Sequence, residues 1–86
     1  MVGVMITHEV DDVNHWLTSP VRAALVAKLG LDIRVYVDPA GSNVVGVILE
    51  VPSVEFIVKH LNSAENKEAM TLDGVRPDTL RLLITP

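Results

Sequence analysis

The 86-residue chain has seven basic and eleven acidic side chains, a net charge of −4 and no cysteine. Disulfides and thiolate zinc sites are therefore excluded, a phosphate backbone would be repelled, and no apolar run approaches the ~20 residues of a membrane span. A domain this small buries only somewhat more than ~60% of the surface its unfolded chain exposes, which leaves self-association as the usual supplement to a thin core.

The opening Met1-Val2-Gly3-Val4-Met5 lacks the basic segment and small-residue cleavage site of a signal peptide, so a cytoplasmic location is expected. Val2 to Val10 is rich in β-branched residues and has strand length. Asp11 or Asp12 then caps a helix that places Val13, Trp16 and Leu17 on one face. Ser19-Pro20 interrupts it and starts a second helical piece, with Ser19 as cap, carrying Val21, Ala24, Leu25 and Leu29 until Gly30 stops it. Asp32 to Val37 and Val44 to Val51 read as strands joined by the turn formers Asp38-Pro39-Ala40-Gly41-Ser42-Asn43, hence as antiparallel neighbours. Ser53 caps a helix with Val54, Ile57, Val58 and Leu61 on one face; Asn62-Ser63 breaks it, a short helix runs from Ala64 towards Gly74, and Thr79 to Thr85 is the last strand.

The order β-α-β-β-α-β predicts one ferredoxin-like α+β domain over residues 1–86, an antiparallel four-stranded sheet with its helices on one face. An internal echo, Val2-Gly3-Val4-Met5-Ile6 against Val45-Gly46-Val47-Ile48-Leu49, assigns strand faces. It turns Val4, Ile6, His8 and Val10 towards the helices together with Val45, Val47, Leu49 and Val51. Met5, Tyr36, Ile48 and Leu83 then fall on the opposite face, which is too apolar for a plain solvent surface and suits burial against a second copy, with Arg34, Arg81, Glu9 and Glu50 near the rim.

The segments Val10-Asp11-Asp12-Val13-Asn14-His15-Trp16, Arg34-Val35-Tyr36-Val37-Asp38-Pro39, Gly46-Val47-Ile48-Leu49-Glu50-Val51-Pro52 and Ser63-Ala64-Glu65-Asn66-Lys67-Glu68-Ala69-Met70 to Gly74-Val75 resemble small members of the dimeric α+β barrel superfamily, kin of antibiotic-biosynthesis monooxygenases and polyketide cyclases. The resemblance spans nearly the whole chain, and none of its motifs is catalytic. It implies a homodimer whose two sheets close a barrel. It also implies a ligand cavity inside each subunit, between sheet and helices. Relatives of the monooxygenase type place an asparagine, a tryptophan and a tyrosine or arginine around the bound ring, and only Trp16 is matched to that set.

The stretch MITHEVDDVNHW gathers two histidines, three carboxylates and the only tryptophan. Strand parity sends His8 inward and helical periodicity sends His15 outward, so the two imidazoles should not share an ion, and no metal site or cofactor is expected. Asp11 and Asp12 have ordinary work at a helix start. No glycine-flanked serine or phosphate-cradling glycine cluster is present. Phe56 falls outside its helix's apolar arc, as a flank or subunit contact, and His60 reads as a surface residue. A candidate ligand pocket remains: His8 with Trp16 above it, Met70 at the far end, and Tyr36 only if its strand faces the other way. The alternative at this point is that His8 bonds a backbone carbonyl and Trp16 is plain core. Two functional classes follow, a non-catalytic or small-ligand-binding module and a cofactor-independent monooxygenase-like or cyclase-like enzyme acting on a small hydrophobic or aromatic substrate, with no catalytic residue assigned.

Overall fold

The computed structural model describes residues 1–86, apart from the side chain of Leu25; its place on the predicted apolar face lies outside the described residues. Four strands, β1 (Val2–Val10), β2 (Arg34–Val37), β3 (Val44–Val51) and β4 (Val75–Ile84), form one antiparallel sheet in the order β2-β3-β1-β4. Helices α1 (Val13–Leu17) and α2 (Pro20–Leu29) join β1 to β2, and α3 (Val54–Leu61) and α4 (Ala64–Leu72) join β3 to β4. This is the ferredoxin-like arrangement that the sequence predicts. No helix among the described residues is long and apolar enough to cross a membrane.

Local chemistry sets the boundaries. Asp12, Ser19, Ser53 and Ser63 each accept a hydrogen bond from the backbone N–H three residues on, satisfying a donor that a helix start leaves open. Asp11, the other candidate cap, pairs with Arg76 at 3.0 Å instead. Gly30 ends α2 in the left-handed conformation, with φ 68°, which costs a residue with a side chain more than it costs glycine.

The register confirms the strand faces. Val4 lies opposite Leu49, Ile6 opposite Val47 and His8 opposite Val45, and this row is buried under the helices with Trp16, Ile57 and Val75. The predicted inner row of β2 is present but barely covered: Val35 and Val37 are exposed because β2 is an edge strand. β4 begins at Val75, four residues before the predicted start. β4 is the other edge, where the missing N–H of Pro77 is tolerated, and the register slips between Thr7 and Glu9. Thr79 fills that slip: its hydroxyl accepts from the Glu9 N–H at 2.9 Å and donates to the Arg76 carbonyl at 2.6 Å.

Helix faces differ from the simple arcs. On α3, Ile57 is buried and Phe56 and Leu61 pack on the core, whereas Val54 and Val58 are exposed. Phe56 is therefore core lining rather than a flank. On α2, Arg22, Val26 and Leu29 turn towards the sheet side, and Ala24 is exposed. Of the predicted face Leu29 lines the cavity and Val21 is half-buried, and the helix is turned so that Arg22 and Val26 lie inward in place of Ala24.

Candidate functional site

Between the inner face of the sheet and the helices lies a half-enclosed cavity of about 120 Å³. Apolar side chains make most of its wall, among them Ile6, Val47, Leu49 and Ile57. An engineered cavity of about 150 Å³ holds benzene, so this space is of single-ring size.

His8 enters from β1. It is only 7% exposed, and its Nδ1 is buried without a hydrogen-bond partner. The ring meets Trp16 edge-on, with centroids 5.7 Å apart and planes at 82°. Burial holds its pKa below the ordinary 6.5; the nearby Glu9 backbone offsets this in part, and the Arg22 charge reinforces it. His8 is therefore a neutral imidazole at pH 7.

Arg22, on the first turn of α2, lays its guanidinium 4.4 Å from the centre of the Trp16 ring, close enough for a cation–π contact. Its Nη2 donates to the Leu17 carbonyl at 3.0 Å, while Nη1 is buried with no partner among the described residues. Burial lowers the Arg22 pKa and the Asp73 charge works against that, so the guanidinium stays charged. Asp73, the C-cap of α4, is buried and accepts the Ser19 hydroxyl at 2.5 Å.

Asn66, on the first turn of α4, is also buried in the wall. Its amide N–H₂ is directed at the Leu61 carbonyl, 3.3 Å away, and the Met70 sulfur, 3.2 Å away. Since a carbonyl only accepts, the Leu61 contact fixes the orientation of the amide and leaves Asn66 Oδ1 as the acceptor not used in those contacts. His60 also lines the wall, half-buried, with its pKa lowered by burial and partly restored by Glu65.

Of the four residues singled out from sequence, the structure brings His8, Trp16 and Met70 to one cavity. Tyr36 is not there. Its neighbours Val35 and Val37 pair with Val47 and Val45 on the inner face, so Tyr36 lies over Gly46 on the outer face and is 49% exposed. His60 belongs to the wall, not to the surface alone. Arg22, Asn66 and Asp73 were not singled out, yet a signal existed: Asn66 and Asp73 lie four before and three after Met70, on the same helical face. His15 is exposed on α1, where its Nε2 sits 2.9 Å from the Leu72 carbonyl and ties α1 to the end of α4. No group of three or more His, Asp or Glu that could hold a metal occurs among the described residues.

No family model and no curated protein matches the chain. Solved structures do match its fold. An antibiotic biosynthesis monooxygenase aligns with TM-score 0.68 at 17% identity, over 100% of this chain and 97% of that one. A conserved protein from Methanosarcina mazei Go1 aligns with TM-score 0.66 at 16% identity, over 98% and 89%. A dimeric protein of unknown function and ferredoxin-like fold from Bacteroides fragilis NCTC 9343 aligns with TM-score 0.64 at 12% identity, over 98% and 93%. At these identities the likeness is one of fold, and it places the chain's architecture beside that of the antibiotic-biosynthesis-monooxygenase-like proteins.

Proposed function

We propose that this protein is a homodimeric small-ligand-binding module, each subunit holding a compact, largely apolar molecule between its sheet and helices. The observation that carries the reading is the cavity beside His8, a single-ring-sized space walled mostly by apolar side chains and lined also by His8, Arg22, Asn66 and Asp73. A packed core would not leave such a space. The test is a ligand screen read on the Trp16 indole signal by NMR, with wild type and His8→Ala side by side. Saturable shifts are expected in the wild type, and His8→Ala should keep its fold and lose binding of planar apolar compounds. Unchanged binding by the variant would remove His8 from the site.

The homodimer is supported by the outer face of the sheet. Register places Arg34, Ile48, Met5 and Leu83 in one cross-strand row, with Met5 42% and Leu83 55% exposed, and Tyr36 lies in the next row. An exposed, largely apolar row with a charge at its end is a surface that an isologous two-fold contact can use. Native mass measurement showing a monomer at micromolar concentration would end this part of the proposal.

One observation favours the second reading, a cofactor-independent enzyme. Trp16, Asn66 and Arg22 share the cavity with a neutral His8 able to accept a proton. Turnover of a small aromatic substrate, with or without dioxygen uptake, that disappears in His8→Ala would establish it.

A further inference from the structure

On α4 the cavity is lined by Asn66, Ala69 and Met70, of which Met70 alone carries apolar bulk. Asn66 and Ala69 are buried and Met70 is half-buried, so its thioether lies between the cavity and solvent. Asn66 is held in place by two other contacts: its backbone N–H donates to the Ser63 hydroxyl at 3.1 Å, and its amide to the Leu61 carbonyl at 3.3 Å. The same amide donates to the Met70 sulfur at 3.2 Å, one helical turn on. A thioether is a weak acceptor, and a methionine side chain is unbranched with three rotatable bonds. The amide is therefore the fixed partner and the thioether the movable one. Met70 can swing out at the cost of one weak neutral bond, with the helix cap and the Leu61 contact intact.

We infer that Met70 sets the size of ligand the cavity accepts: in place it closes the α4 side around a single ring, and displaced it makes room for a second fused ring. The inference rests on the ligand-binding reading above and adds to it the residue that decides ligand size. The volume of about 120 Å³ is that of the cavity with the thioether in. The walls deeper in are stiffer. Val47, Leu49 and Ile57 are branched, buried members of the core, where displacing one side chain strains its neighbours. Trp16 is hemmed in by the His8 edge and the Arg22 guanidinium. Met70 packs on that core from its margin instead, and beside it α4 offers the cavity only the short side chains of Ala69 and Asn66.

Toluene and naphthalene, one ring against two, are titrated into the full chain and followed by NMR on the Trp16 indole and Met70 methyl signals. In the free protein the Met70 methyl carbon should show the shift of one held rotamer. Toluene should leave that shift in place, and naphthalene should move it to the averaged value of a free methionine. Met70→Ala should raise the affinity for naphthalene relative to toluene roughly tenfold, because the second ring refills the space the thioether leaves. Leu80→Ala also removes a half-buried apolar side chain from the wall, on the β4 side, and should change that ratio by less than about threefold. An unchanged ratio in Met70→Ala, an equal rise in Leu80→Ala, or an averaged Met70 methyl signal in the free protein would overturn the inference and leave the ligand-binding reading standing. Binding of neither compound by the wild type or by Met70→Ala would overturn both.

Discussion

Ser19→Ala tests the junction between helix and site. The Ser19 side chain has two partners: it caps α2 by accepting from the Arg22 N–H at 3.1 Å, and it donates to the buried Asp73 carboxylate at 2.5 Å. Loss of a cap costs about 1 kcal/mol, and leaving a buried carboxylate oxygen without its donor costs a further ~2 kcal/mol, so the variant should lose about 3 kcal/mol. Two other serines separate the contributions. Ser53 caps α3 through the Phe56 N–H and is exposed, so Ser53→Ala should lose only about 1 kcal/mol. Ser63 caps α4 and also donates to the His60 carbonyl at 2.7 Å, a neutral and half-buried bond, which places Ser63→Ala between the two. Urea denaturation at one fixed protein concentration measures all three, and in a domain of this size 3 kcal/mol lowers Tm by very roughly 12–24 °C. Adding Asp73→Ala to Ser19→Ala should recover part of the loss, because the orphaned carboxylate goes with it. If Ser19→Ala costs no more than Ser53→Ala, or the double variant shows no coupling, the Ser19–Asp73 bond contributes nothing and the reasoning fails.

Leu83→Lys places a charge in the exposed outer row beside Met5 and should convert a dimer to monomer without unfolding the subunit, as read by native mass spectrometry and circular dichroism. Ile57, 1% exposed, should lose about 3 kcal/mol on truncation to alanine, whereas the exposed Val58 next to it should change by less than about 0.5 kcal/mol in the same urea assay. Stability should also fall in mild acid. The folded pKa values of His8 and His60 lie below the 6.5 of the unfolded chain, so on acidification the unfolded state takes up protons first. Stability is therefore full above pH 6.5, falls as pH drops through that value, and levels off below the folded pKa values. His8→Gln should flatten the fall, and an unchanged slope would show that His8 is not held neutral.

The parts of the fold legible in the sequence are those that local chemistry decides. Ser19-Pro20, Ser53 and Ser63 mark helix starts because a hydroxyl and the N–H three residues on need no tertiary partner to find each other. The period of two along β1 is equally local, and with the echo of β1 in the apolar row of β3 it puts His8 under the helices. Arcs failed where tertiary packing sets the phase. α2 carries Arg22 on the row facing the cavity, at a position where composition argues for solvent, and an arginine is read as inward only once Trp16 is known to lie beneath it. Asp73 follows α4 as its C-cap, and only the approach of Ser19, 54 residues earlier in the chain, gives it a buried partner. Neither fact is present in any window of sequence.

The energetics of the cavity weigh on function. Two buried nitrogens without partners cost about 1–3 kcal/mol each, and an unfilled space forfeits the contacts its lining would otherwise make. Against a total stability of roughly 5–15 kcal/mol for a domain, and a core limited by 86 residues, that is a large fraction. Simple substitutions would lower it: an apolar residue at position 8 would remove one unpaired nitrogen, and a longer side chain at Ala69 would reduce the space. Sheet-to-sheet association offsets such a cost without filling the cavity, because it buries the outer face and leaves the inner face unchanged. The two halves of the proposal are thus linked physically: a dimer would supply stability on one face of the sheet, and the cavity on the other would stay open to a ligand.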